Sequence, residues 1–202
     1  MALALFSNIG DVNSNSLPAD TATLPGGGLS NGTNVKESGN YWNTTPAGGS
    51  SPAGTGSGYI VGLSTIPANA FNAAGRTITV TAQGNFAANA NTKTVSIVVN
   101  PTAPAVGSVV SGGTTIASSG AVTTNGSAWT IGADLIKTGA LGSNTQTALH
   151  YATQVGAAVG ALTQCQSLTL AENAPITVAL VINAATAVGD CTLWNFQGQW
   201  FN

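Results

Sequence analysis

His150 is the one histidine of the 202-residue chain, and histidine is the commonest general base, so catalysis would be sought there first. No serine or cysteine near it sits in a nucleophile elbow, so a Ser-His-Asp arrangement has no footing. His150 reads instead as a strand position, partly buried or at a subunit seam. The six acids, Asp11, Asp20, Glu37, Asp134, Glu172 and Asp190, are scattered along the chain, with no pair placed for glycoside hydrolysis. Asp134 and Lys137 share a strand pattern three residues apart, which puts them on opposite faces. Asp190 follows Gly189 in a turn, where a carboxylate commonly accepts from nearby backbone N–H groups. The stretch "DVNSNS", with Asp11, Asn13 and Asn15, has the start of a calcium loop but neither its sixth-position Gly nor its twelfth-position Glu, so it reads as an Asx turn. "GTGSGY" is glycine-rich, but a strand pattern follows it, and the helix N-terminus that would hold a phosphate is missing. Cys165 and Cys191 match no metal-ligand spacing. They are expected as two small buried apolar side chains, with a disulfide between neighbouring strands as the alternative. From these residues the expectation is no enzyme, no metal and no cofactor.

Composition points the same way. Only 5% of residues are charged, against roughly 25% in an ordinary soluble domain, and Gly, Ala, Thr, Ser and Asn fill the places between apolar positions. A net charge of -2 provides no basic field for phosphates, so nucleic acid is not an expected partner. Gly, Thr, Asn and Ser interrupt every apolar run before the roughly 18 residues that a membrane helix needs, so no membrane partner is expected either. "MALALFSNIG" is too short an apolar run for a secretory signal. A surface with so little charge tends to associate, which makes an oligomer or a lattice partner the natural expectation.

The elements behind these residues fall into two parts. Residues 1–57 are punctuated by Pro18, Pro25, Pro46 and Pro52 and by "PGGGLSNG" and "PAGGSSPAGTGSG"; they hold no periodicity and cannot build a core alone. They read as an extended N-terminal arm, with Leu3, Leu5, Phe6, Leu17, Leu24, Tyr41 and Trp42 as spaced anchors. From Tyr59 onward the period is two. "RTITVTAQG" puts Ile78, Val80 and Ala82 on one face and Thr77, Thr79 and Thr81 on the other. "TVSIVVN" turns Val95, Ile97 and Val99 inward, "SAWTIGADLIKTG" does the same with Trp129, Ile131, Ala133 and Leu135, and "PITVALVIN" with Ile176, Val178, Leu180 and Ile182. About eight strands with frequent turns and no convincing helix give an all-β fold, an eight-stranded jelly-roll sandwich over residues 58–202. By parity Trp194, Phe196 and Trp200 share one face of the last strand, as core, as a trimer seam or as a carbohydrate-stacking platform. Trp129, His150, Trp194, Phe196 and Trp200 are the candidate seam or core residues.

From Leu63 on, three stretches carry a resemblance: "LSTIPANAFNAAGRTITVTAQGNFAANANTKTVSIVVN", "SAWTIGADLIKTGA" and "PITVALVINAATAVGDCTLWNFQGQW". Their order resembles that of the jelly-roll domains of tailed-bacteriophage tail fibres and head-decoration proteins. Lys137 stands where that family commonly has Arg, and a Gly/Ala-rich insert follows Val155. The resemblance implies a homotrimer with a tumour-necrosis-factor-like jelly roll, and for a chain with such an arm, a capsid cement or decoration protein. Its partners would be the major capsid protein and itself, and its location the exterior of the virion, after assembly in the host cytoplasm. The alternative is a receptor-binding tip of a tail or head fibre that recognises host glycan.

Overall fold

The computed structural model describes residues 38–44, 58–123, 126–159, 165–184 and 190–201. Among them the regular structure is all strand: β1 Ser38–Thr44, β2 Gly58–Ile66, β3 Thr77–Phe86, β4 Lys93–Val99, β5 Thr114–Ser118, β6 Ala128–Lys137, β7 Gln146–Val155, β8 Ala158–Val159, β9 Cys165–Leu168, β10 Ile176–Ala184 and β11 Cys191–Phe201. They form two antiparallel sheets. The larger runs β1-β11-β3-β6-β7-β8, with β9 also paired to β7, and the smaller runs β2-β10-β4-β5. The chain changes sheet between β1 and β2, β2 and β3, β3 and β4, β5 and β6, β9 and β10, and β10 and β11, so neither sheet can close without the other. The all-β sandwich is as expected, with more strands than the expected eight. β1 lies inside the segment read as an arm, and β8 inside the Gly/Ala-rich insert.

The two-residue period explains what fills the space between the sheets. Ile78, Val80 and Ala82 from β3, Val95, Ile97 and Val99 from β4, and Ile131, Ala133 and Leu135 from β6 are all buried, and they meet Ile176, Val178, Leu180 and Ile182 from β10. Each large aliphatic side chain removed from water in this way contributes about 1.5–3 kcal/mol. Thr79 and Thr81, on the other face of β3, are only half-buried and serve strand propensity. The run "VALV" in β10 is apolar on both faces for a reason. Ala179 and Val181 pack outside the smaller sheet with Ile60 and Val98, under Leu63 and Val110. The segment that carries Val110 binds along β2, where Ile60 N–H donates to Ser108 O at 2.9 Å and Val110 N–H to Gly58 O at 2.9 Å. It thereby covers an edge strand that would otherwise be open to pairing.

One glycine sets the packing at the end of the sandwich nearest the start of β6. The Trp129 indole lies over Gly84, and a Cβ built there would stand 1.9 Å from Thr192 O and 2.3 Å from the indole ring. Phe86 completes the contact, its ring centroid 6.0 Å from that of Trp129. Gly84→Ala is therefore expected to push β11 and Trp129 apart and to destabilise the fold by about 1–3 kcal/mol, read as a lowered denaturant midpoint with an unchanged slope.

Candidate functional site

The ionisable side chains of the described residues are mostly engaged in holding the sandwich. Lys137 extends the inward face of β6 and forms a buried salt bridge with Glu172. The ammonium also donates to Ser143 Oγ at 2.8 Å, and the carboxylate accepts from Gly142 N–H at 3.1 Å and from the Gln146 amide. Gln146 accepts in turn from Leu170 N–H at 2.8 Å, and Asn144 Oδ1 from Glu172 N–H at 3.0 Å. One ion pair thus ties the β6–β7 loop to the segment before β10. At the other end Asp190 accepts from the Asn89 amide at 2.6 Å and the Asn91 amide at 2.9 Å, while Lys93, fully buried, donates to Asn89 O at 2.8 Å. Asp190 thus takes side-chain amides from the β3–β4 loop. Asp134 and Lys137 do lie on opposite faces, as expected, and the Asp134 carboxylate accepts from the Thr79 hydroxyl.

His150 is buried on the inward face of β7 and is not placed for general-base work. Its Nε2 faces Ala152 O at 3.1 Å and the Thr153 hydroxyl, and Nδ1 has no partner among the described residues. Burial pushes its pKa below the ordinary value, against a smaller raising effect of the Ala152 carbonyl. The cysteines diverge from the expected pair of buried side chains: Cys191 is buried and Cys165 exposed. No disulfide joins them, because β9 and β11 are separated in the sheet by β7, β6 and β3, roughly 19 Å at the usual strand spacing. Burial raises the Cys191 thiol far out of the reactive range, against a smaller lowering effect of the Trp129 indole N–H.

The outward face of the larger sheet remains. Its ladder aligns Asn195 with Gln83, Gln83 with Thr130, and Thr130 with Gln154, one polar row across β11, β3, β6 and β7. Two β-bulges break the alternation beside it. In β11 the register shifts between Leu193 and Asn195; Leu193 and Phe196 stay inside, and Trp194 is thrown outward, 54% exposed. This corrects the expected parity of Trp194 and Phe196: Phe196 is core, and Trp194 is on the surface. In β7 the shift makes Tyr151 the extra residue. Its ring lies over Gly132, where a Cβ would come within 2.5 Å of it, and its hydroxyl meets Thr81 Oγ1 at 2.9 Å. Trp194, Gln83, Thr130 and Gln154, with the small Ala128 and Gly156, line a groove of about 320 Å³.

Of the remaining candidates, Trp129 is core. Trp200 lies on β11, and Tyr41 and Trp42 on β1, which pairs antiparallel with β11 from Ser38↔Phe201 to Thr44↔Phe196; for these three the backbone alone is described. Leu3, Leu5, Phe6, Leu17 and Leu24, and the Asp11 turn, lie outside the described residues. The Lys137–Glu172 pair, 35 residues apart in sequence, and the groove were both missed by sequence reasoning. A signal for the groove existed in "CTLWNF": Cys191, Leu193 and Phe196 cannot all face inward without an extra residue between the last two.

No protein-family model matches the chain, and no curated protein matches it. A similar solved structure is the CBM2 module of Lactobacillus casei BL23 phage J-1 evolved Dit. It is 11% identical, with 83% of this chain and 98% of that chain covered and a TM-score of 0.40, a superposition too loose to assign a topology or a ligand.

Two outcomes follow from the buried groups. Lys137→Met leaves the Glu172 carboxylate uncompensated and should cost about 3–5 kcal/mol, whereas Lys137→Met with Glu172→Leu should cost much less than the two single changes added together; denaturant titration of the three variants measures this. For His150, the unfolded chain binds the proton more readily than the folded one. Its contribution to stability is therefore complete above about pH 6.5 and shrinks as pH falls from there toward the lowered folded pKa. Thermal melts between about pH 7.5 and 5 should show a decline that His150→Gln reduces.

Proposed function

We propose that the chain is a non-enzymatic virion structural protein, a capsid cement or decoration protein that binds the outer surface of the major capsid protein shell as a homotrimer and stabilises it. The observation that supports this reading best is where the chemistry has gone. Lys93, Lys137, Glu172 and Asp190 are buried in contacts that pin the two ends of the sandwich, and His150 is enclosed. What the described body offers outward is Thr, Gln, Asn and a few large apolar groups, a surface fit for adhesion. The sequence resemblance to phage head-decoration domains agrees with that.

In this reading residues 1–37 lie along the capsid, with Leu3, Leu5, Phe6, Leu17 and Leu24 seated between subunits as the anchors. β1 is the tether, carrying Tyr41 and Trp42. Its ladder to β11 passes any pull on the arm into the larger sheet, where β11 is held on its other side by β3. Three arms on one trimer raise the effective concentration of each, so individually weak contacts hold collectively. A shell clamped in this way resists the outward pressure of packaged genome.

Deletion of residues 1–37, which spares β1, should remove the protein from capsids and lower the temperature at which the particles release their contents. The triple change Leu3→Ser, Leu5→Ser and Phe6→Ser should do so in part. Full occupancy by the deleted chain would refute the arm's role.

A further inference from the structure

The groove beside Trp194 has features that the cement reading does not use. An indole on a strand normally faces the core, yet here one extra residue in β11 turns it out while Leu193 and Phe196 fill the interior behind it. The floor next to it is kept low by Ala128 and Gly156, and the polar groups around it have capacity to spare. The Gln83 amide makes no hydrogen bond to another described residue. Gln154 donates through Nε2 to Gly156 O at 3.0 Å, leaving its carbonyl oxygen to accept, and Thr130 donates only at 3.4 Å to Ala82 O, leaving its hydroxyl lone pairs.

We propose that this groove binds a neutral saccharide, with Trp194 stacked on the apolar C–H face of one sugar ring and Gln83, Gln154 and Thr130 bonded to its hydroxyl edge. A pyranose is apolar on its faces and carries groups that both donate and accept around its rim, which is the complement of an exposed indole bordered by amides and a hydroxyl. Among the described residues no ionisable side chain lines the groove, so they offer nothing to the charge of a nucleotide, a phosphosugar or an acidic peptide. Its volume is at the small end of the about 300–1,000 Å³ of ligand pockets, enough for a short segment of a longer glycan running across the sheet. The site does not depend on how the chain is attached to a particle.

The test uses the full-length protein on an array of neutral di- and trisaccharides of glucose, galactose, mannose and N-acetylglucosamine, with sialylated and sulfated counterparts, and calorimetry on the best binder. The expected result is saturable binding of at least one neutral sugar, with no gain from added negative charge. Trp194→Ala should weaken it about tenfold or more, Trp194→Phe should restore part, and Gln83→Ala and Gln154→Ala should each cost roughly tenfold or less. These positions are on the surface, so thermal melts of the variants should match the parent. Failure of every sugar on the array to bind, or binding that Trp194→Ala leaves unchanged, overturns the proposal. So does a change in sedimentation of the Trp194→Ala protein showing that the indole is covered by a second copy of the chain.

Discussion

A strand has two faces, and the slot between two sheets accepts only one of them; the rest of this molecule depends on that restriction. It makes Ile78, Val80 and Ala82 neighbours of Ile97 and Leu180 despite their separation in sequence, and it leaves the threonines between them on the surface. The same restriction means that the surface cannot be changed freely. A large residue can be brought from the core face to the outer face only if the chain spends an extra residue to restore the phase behind it. The bulges at Trp194 and Tyr151 do this, and both deliver an aromatic ring to the same outer face of the larger sheet. The core and the candidate site are therefore two results of one register.

The few charges follow the opposite logic to the usual one. In most soluble domains Lys and Glu are the residues least often buried, whereas here Lys93, Lys137 and Glu172 are inside. A buried ion pair is not in itself a source of stability, because loss of hydration offsets most of the attraction. Its value here is geometric: Lys137 and Glu172 accept or donate in directions that fix the β6–β7 loop against the segment leading into β10. Asn89 does similar work at the other end, donating from its side chain to Asp190 and accepting from Lys93 on its carbonyl. The loops of this sandwich are thus tied by polar contacts where the apolar core does not reach.

How much of this could be read from the sequence depends on the range of the interaction. The inward residues of β3, β4, β6 and β10 were legible because alternation is local, and "TITV" or "TVSIVV" carries its own phase. The partnership of Lys137 with Glu172 was not, since a strand pattern states which way Lys137 points and nothing about what meets it from a distant connecting segment. The bulges were hidden for a related reason: each is a disagreement between two partners, and one strand shows only half of it. The cysteines show a third limit. Cys191 follows the phase of β11 into the core, but β9 is a four-residue edge strand with too little pattern to place Cys165, which is exposed. β1 was missed because a segment dense in Gly, Asn and Pro carries little sign of the edge it will join.

Burial of the basic residues also bears on how the molecule meets proteases. Proteases of the trypsin class must draw an extended Lys or Arg segment into their cleft, and Arg76, Lys93 and Lys137 are 8%, 0% and 1% exposed. The described body has no accessible site for them while it is folded, so cleavage there has to wait for opening of the sandwich itself. With these three cations turned inward, the folded body is thereby shielded from one whole class of protease.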